Sequence, residues 1–371
     1  MTRQYTTFVP HPATDTDLRY VVIGAGMMGR EHIANIAHVP DAQVVGVVDT
    51  NEKSRALASG VVDGDVVVGE DLDSVIAQSH PNVAVIASPN HTHAEIASAV
   101  VGHGLHVLVE KPLATSVEDC LTLSSLVAGH PNLCVKVGLE YRFMGPTQWL
   151  LETVREGLLG TTRLVTIIEH RFPFLVKVND WNRFNEFTGG TLVEKCCHFF
   201  DLMHQITRSE PFAVMASAAD VVNHRDERYG DRTPDILDNA YVIVEFDNGS
   251  RGMLELCMFA EGSRDEQMIS VVGDRAKADV RIPSGECSLG LRAEGSSGVN
   301  RKIVELDAPH RGLHHGSSYR EHLSFAAAIR GEESAIASLR DGLRSVAVGV
   351  AAQMSIAQCR RVTLEEVGYV Y

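Results

Sequence analysis

Apolar residues in the first third of the chain fall into short runs that alternate with helical stretches. Four of these runs have the length of a strand: 19–23, 42–48, 83–87 and 106–109. The run 42–48 is rich in valine and apolar on both faces, as expected of a parallel strand that is covered on both sides. Strands that alternate with helices in this way predict a doubly wound parallel sheet, an α/β fold.

The rhythm changes near Phe143, beyond which longer strands dominate. They are predicted at 163–170, 213–222, 240–246, 251–259, 267–272 and 278–282. Asp247-Asn248-Gly249 joins two of them and is a hairpin signal. Helices follow at 319–329 and 339–360. This half of the chain predicts an α+β domain with a mainly antiparallel sheet.

The turn after the first strand reads Gly24-Ala25-Gly26-Met27-Met28-Gly29, which fits G-x-G-x-x-G. It opens a helix, and Asp49 ends the next strand, so the motif stands in the context of a dinucleotide site. The first glycine permits the tight turn, the second lets the backbone approach pyrophosphate, and the third lets helix and strand pack closely. Asp49 would bind the ribose hydroxyls and repel a 2′-phosphate, which favours NAD, while the nearby Arg55 keeps NADP open. Cofactor contacts are therefore predicted from Gly24, Gly26, Met27, Met28, Gly29 and Asp49.

Two further loops follow strands of the same predicted sheet. Ser88-Pro89-Asn90, with His93 close behind, comes after the run 83–87, and Glu110-Lys111-Pro112 comes after 106–109. Loops at the carboxyl ends of strands line the ligand crevice of a doubly wound sheet. Further cofactor contacts are therefore predicted from Ser88, Pro89, Asn90, His93, Glu110 and Lys111.

Composition narrows the choice of partners. The net charge is 33 − 48 = −15, which disfavours nucleic acid and anionic membrane surfaces. The seven cysteines are scattered apart from Cys196-Cys197, and no Cys-x-x-Cys pair occurs. They predict no metal site and a reducing cytoplasm. No apolar run has the length of a membrane-spanning helix.

These motifs together resemble the Gfo/Idh/MocA family, named for glucose–fructose oxidoreductase and inositol dehydrogenase. The matching pieces are the glycine loop, Pro89-Asn90 with His93, Glu110-Lys111-Pro112, the segment 138–143, and Gly189-Gly190 with His198 downstream. The resemblance runs from about Arg19 to the end of the chain. It implies a second domain with an open sheet, of which one face covers the active site and the other often forms an oligomer interface. It also implies a catalytic lysine, here Lys111.

The chain is accordingly divided into three parts. Residues 1–17 form a polar tail, residues 18–142 a Rossmann dinucleotide-binding domain, and residues 143–371 an α+β domain for substrate binding and oligomerisation. The helix 339–360 is expected to pack back on the Rossmann domain. A homodimer or homotetramer through the second sheet is implied by the resemblance.

The candidate catalytic residues are Lys111, His198 and Glu194. In this family an Asp follows the paired glycines and a His comes four residues later; here those places hold Glu194 and His198. His198 is the natural general base, and Lys111 the cation that stabilises an alkoxide. Beside a positive nicotinamide the pKa of Lys111 can fall, so that it joins a proton relay. Glu194 would orient the imidazole or hold a substrate hydroxyl.

Other readings stay open for some of these residues. His198 lies in an apolar patch and could be a buried, satisfied histidine, and Glu194 could pair with Lys195 or Arg183. Further substrate contacts are predicted from Tyr141, Arg142, Trp181 and Arg183.

The function that follows is an NAD(P)-dependent oxidoreductase. It would transfer hydride between nicotinamide and a secondary hydroxyl of a sugar, sugar derivative or inositol. One alternative is a non-catalytic sensor or regulator that binds dinucleotide, because fold does not fix function. Another is an NADP-dependent reductase of a different carbonyl substrate.

Overall fold

The protein, described by a computed structural model over residues 17–305 and 308–370, folds around two β-sheets. The strands, in chain order, are β1 (Leu18–Ile23), β2 (Ala42–Val48), β3 (Val67–Gly69), β4 (Val83–Ile86), β5 (His106–Glu110), β6 (Val135–Gly138), β7 (Thr162–His170), β8 (Pro211–Ala219), β9 (Asn239–Phe246), β10 (Arg251–Cys257), β11 (Gln267–Gly273), β12 (Ala276–Ile282), β13 (Glu286–Leu291), β14 (Val299–Ile303), β15 (Ala337–Ser338) and β16 (Val362–Thr363).

Most of the connections between these strands are α-helical. The helices are α1 (Met27–Ile36), α2 (Glu52–Ser59), α3 (Leu72–Ser79), α4 (His93–Gly102), α5 (Val117–Ala128), α6 (Gly145–Arg155), α7 (Asn185–Thr188), α8 (Thr191–Glu194), α9 (Cys197–Thr207), α10 (Ser317–Ile329) and α11 (Leu339–Gln358).

The first sheet has the strand order β15-β6-β5-β4-β1-β2-β3. All of its pairs are parallel except that of β15 with β6. Alternate residues of β1 pack into different layers: Tyr20 and Val22 lie in one apolar cluster with Ile36 of α1, whereas Val21 and Ile23 lie in the other. The central strand is therefore buried on both faces, and the predicted doubly wound sheet is confirmed.

The second sheet has the strand order β14-β13-β12-β11-β7-β10-β9-β8-β16. Its pairs are antiparallel apart from β7 with β10. One face packs against α9 and α11. The predicted mainly antiparallel sheet is confirmed.

The other face of the second sheet is open. Side chains on β7, β8 and β9 alternate, so that Val165 and Val242 are buried while their neighbours point outward. Leu164, Met215 and Tyr241 are 49%, 54% and 57% exposed. These exposed apolar side chains lie on β7, β8 and β9, with β10 between β7 and β9. Exposed apolar side chains that are grouped on one face are typical of an interaction surface.

Several strand ends differ from the predicted ones. The strand expected over 213–222 ends at Ala219 because the Asp238 carboxylate accepts hydrogen bonds from the backbone N–H groups of residues 221–223 and holds a loop there. The strand β13 and the edge strand β14 were not predicted. β14 is exposed along its whole length, so it carries no apolar alternation that could be read from the sequence.

Two elements after residue 143 lie with the first sheet. β15 pairs with β6, and Phe325 of α10 and Ile336 pack in the same cluster as Tyr20. The helix α11 contacts α5 and β6 as well as α9 and β8. The domain boundary at residue 142 stays a prediction. The segments β15, α10 and α11 follow this boundary in the chain but contact the first sheet or its helices.

The predicted tail lies outside the described residues apart from Asp17. None of the helices described is both long and apolar enough to cross a membrane.

Candidate active site

The glycine loop between β1 and α1 leaves room for a ligand at one of its three glycines. Gly24 has φ +93°, and a Cβ there would lie 2.6 Å from the backbone of Ala87 and Ser88. At Gly29 a Cβ would lie 1.8 Å from the Gly24 carbonyl oxygen. At Gly26 a Cβ would meet no described atom within 4 Å. Two glycines thus serve close packing, and the middle one borders open space.

Asp49 fixes this loop to the end of β2. Its carboxylate oxygens accept hydrogen bonds of 2.7 Å from the Ala25 N–H and 2.7 Å from the Asn51 N–H. Arg55 donates to the Asp49 carbonyl oxygen at 2.7 Å and lies 3.6 Å from the carboxylate of Glu70. Arg55 is therefore held by acceptors of the protein itself, beside the position where ribose is predicted.

The loops after β4 and β5 are joined by the imidazole of His93. Its two ring nitrogens lie 2.7 Å from the Pro112 carbonyl oxygen and 3.0 Å from that of Ser88. Asn90 is buried and donates to the Thr188 carbonyl oxygen at 3.4 Å, next to the paired glycines. The three segments singled out in the sequence are thereby brought to one place.

Lys111 reaches from this edge of the first sheet to the break between α8 and α9. Its Nζ donates to the Glu194 carbonyl oxygen at 3.1 Å. Burial opposes the positive charge, but Cys197 and the carboxylates of Glu194 and Glu110 outweigh it, and the pKa of Lys111 is raised above its usual value. These groups favour the ammonium form of Lys111, and the lowered pKa expected beside a nicotinamide stays a prediction.

A buried row of hydrogen-bonded side chains supports the carboxylate of Glu110, which precedes Lys111. Glu110 Oε1 lies 2.9 Å from His32 Nε2 on α1, and His32 Nδ1 lies 2.9 Å from His322 Nε2 on α10. Glu110 Oε2 accepts the backbone N–H of Lys111 at 3.0 Å. Burial alone would raise the pKa of Glu110, but the hydrogen bond and charge of His32 lower it to about 2. This row of side chains therefore keeps Glu110 ionised next to Lys111.

Glu194 lies close to Lys111 and within a group of cations. The side chain is 7% exposed, and its Oε2 has no hydrogen-bond partner among the described residues. Burial raises its pKa, while Lys111, Lys177 and Lys195 act in the opposite direction. Glu194 pairs directly with neither alternative partner considered from the sequence, because Lys195 contacts Glu169 at 3.2 Å and Arg183 contacts Glu227 at 2.8 Å.

His198 is buried against the ring of Tyr141. The two rings stack with centroids 4.1 Å apart and an angle of 9°. His198 Nε2 lies 3.7 Å from Glu140 Oε1, and across residues 17–305 and 308–370 its Nδ1 has no hydrogen-bond partner. Burial, with the charges of Lys111 and Lys195, holds the pKa of His198 well below its usual value. The imidazole is therefore neutral and has one ring nitrogen left for a ligand.

Three predicted substrate residues do not join this cluster directly. Arg142 makes a two-pronged contact with Asp201 of α9 and lies 3.2 Å from Asp341 of α11, so it ties the turn after β6 to these two helices. Trp181 lies against His91, with ring centroids 6.5 Å apart. The guanidinium of Arg183 is held by Glu227, as described above.

Several residues of the cluster were not predicted from the sequence. They are Glu140, Glu169, Arg171, Lys177, Lys195 and His314. Burial lowers the pKa of Lys195 to about 8 despite its contact with Glu169. Glu140 lies two residues after Gly138, the last residue of β6, so its position near a carboxyl strand end was the available signal. His314 has no such signal, because it lies in the turn before α10.

The residues present fit a dinucleotide. Met27 and Met28 begin α1, no described side chain caps its first turn, and the space beside Gly26 is open. Free N–H groups at a helix start bind phosphate. No group of three His, Cys, Asp or Glu side chains suited to a metal ion occurs in the part of the chain that the structure describes.

Comparison with known proteins places the chain in a family. Residues 18–139 match the oxidoreductase family with an NAD-binding Rossmann fold, and residues 152–364 match its C-terminal alpha/beta domain. The chain belongs to this Gfo/Idh/MocA family. It is an oxidoreductase whose first domain binds NAD.

The relatives include two named dehydrogenases. Inositol 2-dehydrogenase of Rhizobium meliloti (strain 1021) is 25% identical over 94% of this chain and 99% of its own length. Myo-inositol 2-dehydrogenase of Thermotoga maritima is 25% identical over 94% of this chain and 99% of its own length. A levoglucosan dehydrogenase solved with NADH has the same fold, with a TM-score of 0.82 at 22% identity over 94% of this chain and 99% of that one.

Proposed function

We propose that the protein is an NAD-dependent dehydrogenase that oxidises a secondary hydroxyl of a sugar, sugar derivative or inositol. The observation that carries the proposal is the convergence of Lys111, His198 and Glu194 in a buried cluster at the carboxyl end of β5, in the same sheet whose first strand leads into the glycine loop. The names of the two inositol dehydrogenase relatives support the substrate class. A hydroxyl-rich substrate suits this density of donors and acceptors.

The side chains divide the work of oxidising an alcohol. Bound NAD⁺ supplies the acceptor for the hydride. The Lys111 ammonium donates to the hydroxyl oxygen and stabilises negative charge as it develops there. The neutral His198 accepts the hydroxyl proton at Nδ1, the nitrogen for which no partner is described. Glu194 Oε2, which also lacks a described partner, holds a neighbouring hydroxyl.

The open face of the second sheet supports a homo-oligomer as part of the proposal. Leu164, Met215 and Tyr241 would leave water when a second copy packs on this face. We propose a dimer or tetramer assembled there, with a small polyol rather than nucleic acid or a membrane as the partner of the active site.

The test is NADH formation across inositols, aldoses, glycosides and sugar acids, with NAD and NADP in parallel. Turnover on a polyol supports the proposal. If NAD binds but no compound in the panel is oxidised, the protein is a dinucleotide-binding sensor or acts on another class of substrate. Turnover only with NADP and a non-sugar carbonyl, in the reductive direction, would favour the second alternative.

A further inference from the structure

A single carboxylate lies between two imidazoles at the inner end of the candidate active site. Glu140 Oε1 is 3.7 Å from His198 Nε2 and 3.5 Å from His314 Nε2. The side chains of Glu140 and His198 are each 2% exposed, whereas that of His314 is 19% exposed. The three groups therefore form a path from the buried imidazole toward solvent.

Separate elements of the fold hold these groups together. Glu140 begins the short turn after β6, His198 lies in the first turn of α9, and His314 lies in the loop before α10. The ring of Tyr141 stacks on His198 and lies 6.1 Å from that of His314. The aromatic ring thus keeps both imidazoles beside Glu140.

Glu140 has free capacity to take or give a proton. Its Oε2 is buried and has no hydrogen-bond partner in the described ranges. The charged and titratable groups that face it are Glu110, Lys111, Tyr141, Lys195, Cys197, His198, His314 and Glu321. Burial and the charge of Glu110 raise the pKa of Glu140 to about 8, against the opposing charges of Lys111 and Lys195. The carboxyl group therefore changes its charge near neutral pH.

We propose that Glu140 and His314 conduct the substrate proton from His198 to solvent. This inference rests on the proposed function. As the alcohol is oxidised, its hydroxyl proton passes to His198 Nδ1 and the hydride leaves with the cofactor. The proton on His198 Nε2 moves to the ionised Glu140 carboxylate, and from there to His314 Nε2. His314 then releases the proton on its Nδ1 to water, so that each turnover frees one proton in all, and both rings return to their starting tautomers before the next turnover.

The properties of the two imidazoles suit groups that pass a proton on rather than groups that hold it. Burial lowers the pKa of His314 to about 3, and its hydrogen bond to Ser318 is long, at 3.5 Å. A neutral imidazole can accept a proton on one nitrogen and release one from the other. In this scheme Glu140 and His314 touch neither substrate nor cofactor and act only through His198.

The kinetic test compares wild type with Glu140→Gln and His314→Ala, with His315→Asn as the matched control. His315 is the exposed neighbour of His314, with φ 55°, a conformation that asparagine tolerates well. In wild type the rate of polyol oxidation should rise with pH through an apparent pKa of about 8. Glu140→Gln should lose that rise and lower kcat by about tenfold to a hundredfold. His315→Asn should behave as wild type.

Buffer dependence separates a proton path from a structural role. His314→Ala should be slow in a dilute buffer and should recover to within about threefold of wild type when imidazole is added, because a small base can replace the missing ring. Recovery is not expected for Glu140→Gln, whose site is buried. If added imidazole does not speed His314→Ala, or if Glu140→Gln keeps the pH dependence, the proposal is wrong. Lys195, whose pKa is also about 8, would then be the group that causes the pH dependence remaining in Glu140→Gln.

A second readout does not need turnover. Difference infrared spectra between about pH 6 and about pH 10 should show a buried carboxylic acid that ionises in wild type and is missing in Glu140→Gln. A carboxylate that is ionised throughout overturns the relay, whatever the substrate. Absence of polyol oxidation in wild type, with this titration present, would instead count against the proposed function. A second variant, Glu140→Asp, keeps a carboxyl group at this position. It should retain the rise of the rate with pH, even if Glu140→Gln loses activity because it does not fold.

Discussion

Replacing Gly26 by alanine should separate cofactor binding from stability. A Cβ at this position meets no described atom within 4 Å, and its φ of −66° suits any residue. Alanine is a poorer helix cap than glycine, but it reduces the entropy of the unfolded chain by about 0.4–1 kcal/mol. The two effects oppose each other, so the free energy of unfolding should change by less than about 1 kcal/mol.

The same methyl group should weaken NAD binding. It occupies the space through which pyrophosphate approaches the N–H groups at the start of α1. The loss of one hydrogen bond to a charged group costs about 1.5–3 kcal/mol. Since about 1.4 kcal/mol is a tenfold change, the Kd for NAD should rise at least about tenfold.

Two other glycines serve as controls in the same assay, which combines urea unfolding with NADH fluorescence titration. Gly262→Ala introduces a methyl into open space in the connection between β10 and β11 and should change neither quantity. Gly24→Ala should destabilise the fold, because its Cβ would lie 2.6 Å from backbone atoms at φ +93°. Unchanged NAD affinity in a folded Gly26→Ala protein would refute the assignment of the glycine loop.

Three further results are expected. Lys111→Met should lower kcat for polyol oxidation by at least about a hundredfold, as measured by steady-state kinetics, while the Kd for NAD measured by fluorescence stays within about threefold; equal losses in both would make Lys111 a binding residue. Asp49→Ser should remove the charge that opposes a 2′-phosphate and raise the kcat/KM with NADP relative to NAD, and an unchanged ratio would show that Asp49 does not set the preference. His32→Leu should lower the free energy of unfolding by about 1–3 kcal/mol at neutral pH, because it leaves the buried Glu110 Oε1 without its donor. The pKa of Glu110 is about 2 in the folded protein, so its stabilising effect is present above the unfolded value of about 4.3 and is lost as the pH falls through about 2. In urea unfolding, the difference in unfolding free energy between variant and wild type should therefore shrink in acid. A difference that stays constant with pH would contradict this role of His32.

The parallel sheet could be predicted from the sequence because its strands are buried on both faces. A run such as 42–48 is apolar apart from the exposed Gln43, and the strand found is Ala42–Val48. Edge strands lack such a signal: Val299–Ile303 at the edge of the second sheet is exposed at every position, and Ala337–Ser338 at the edge of the first sheet has only two residues. Burial produces the pattern, so an exposed strand cannot be found by it.

The candidate site was predictable where its residues follow strands or glycines. Lys111 and His198 were placed by that rule and by the family resemblance. The groups that set their charge come from distant parts of the chain: His322 lies 290 positions from His32, which it contacts. A single sequence gives no indication of such pairs.

Arg142 is a residue for which the sequence suggested a substrate contact but the structure shows partners within the protein. The sequence put it at the domain junction and suggested a substrate contact. In the structure its guanidinium is held by Asp201, 59 positions later, and by Asp341. We infer a structural role, because a buried arginine paired with two carboxylates has little remaining capacity for a ligand.

The central claim is that this site transfers hydride from a polyol carbon to NAD. The most direct measurement is incubation of the protein with NAD and a polyol deuterated at the hydroxyl-bearing carbon, followed by mass spectrometry of the reduced cofactor. With wild type the label should move to the cofactor, and Lys111→Met should transfer almost none in the same time. Tight NAD binding with no label transferred from any member of the polyol panel would contradict it.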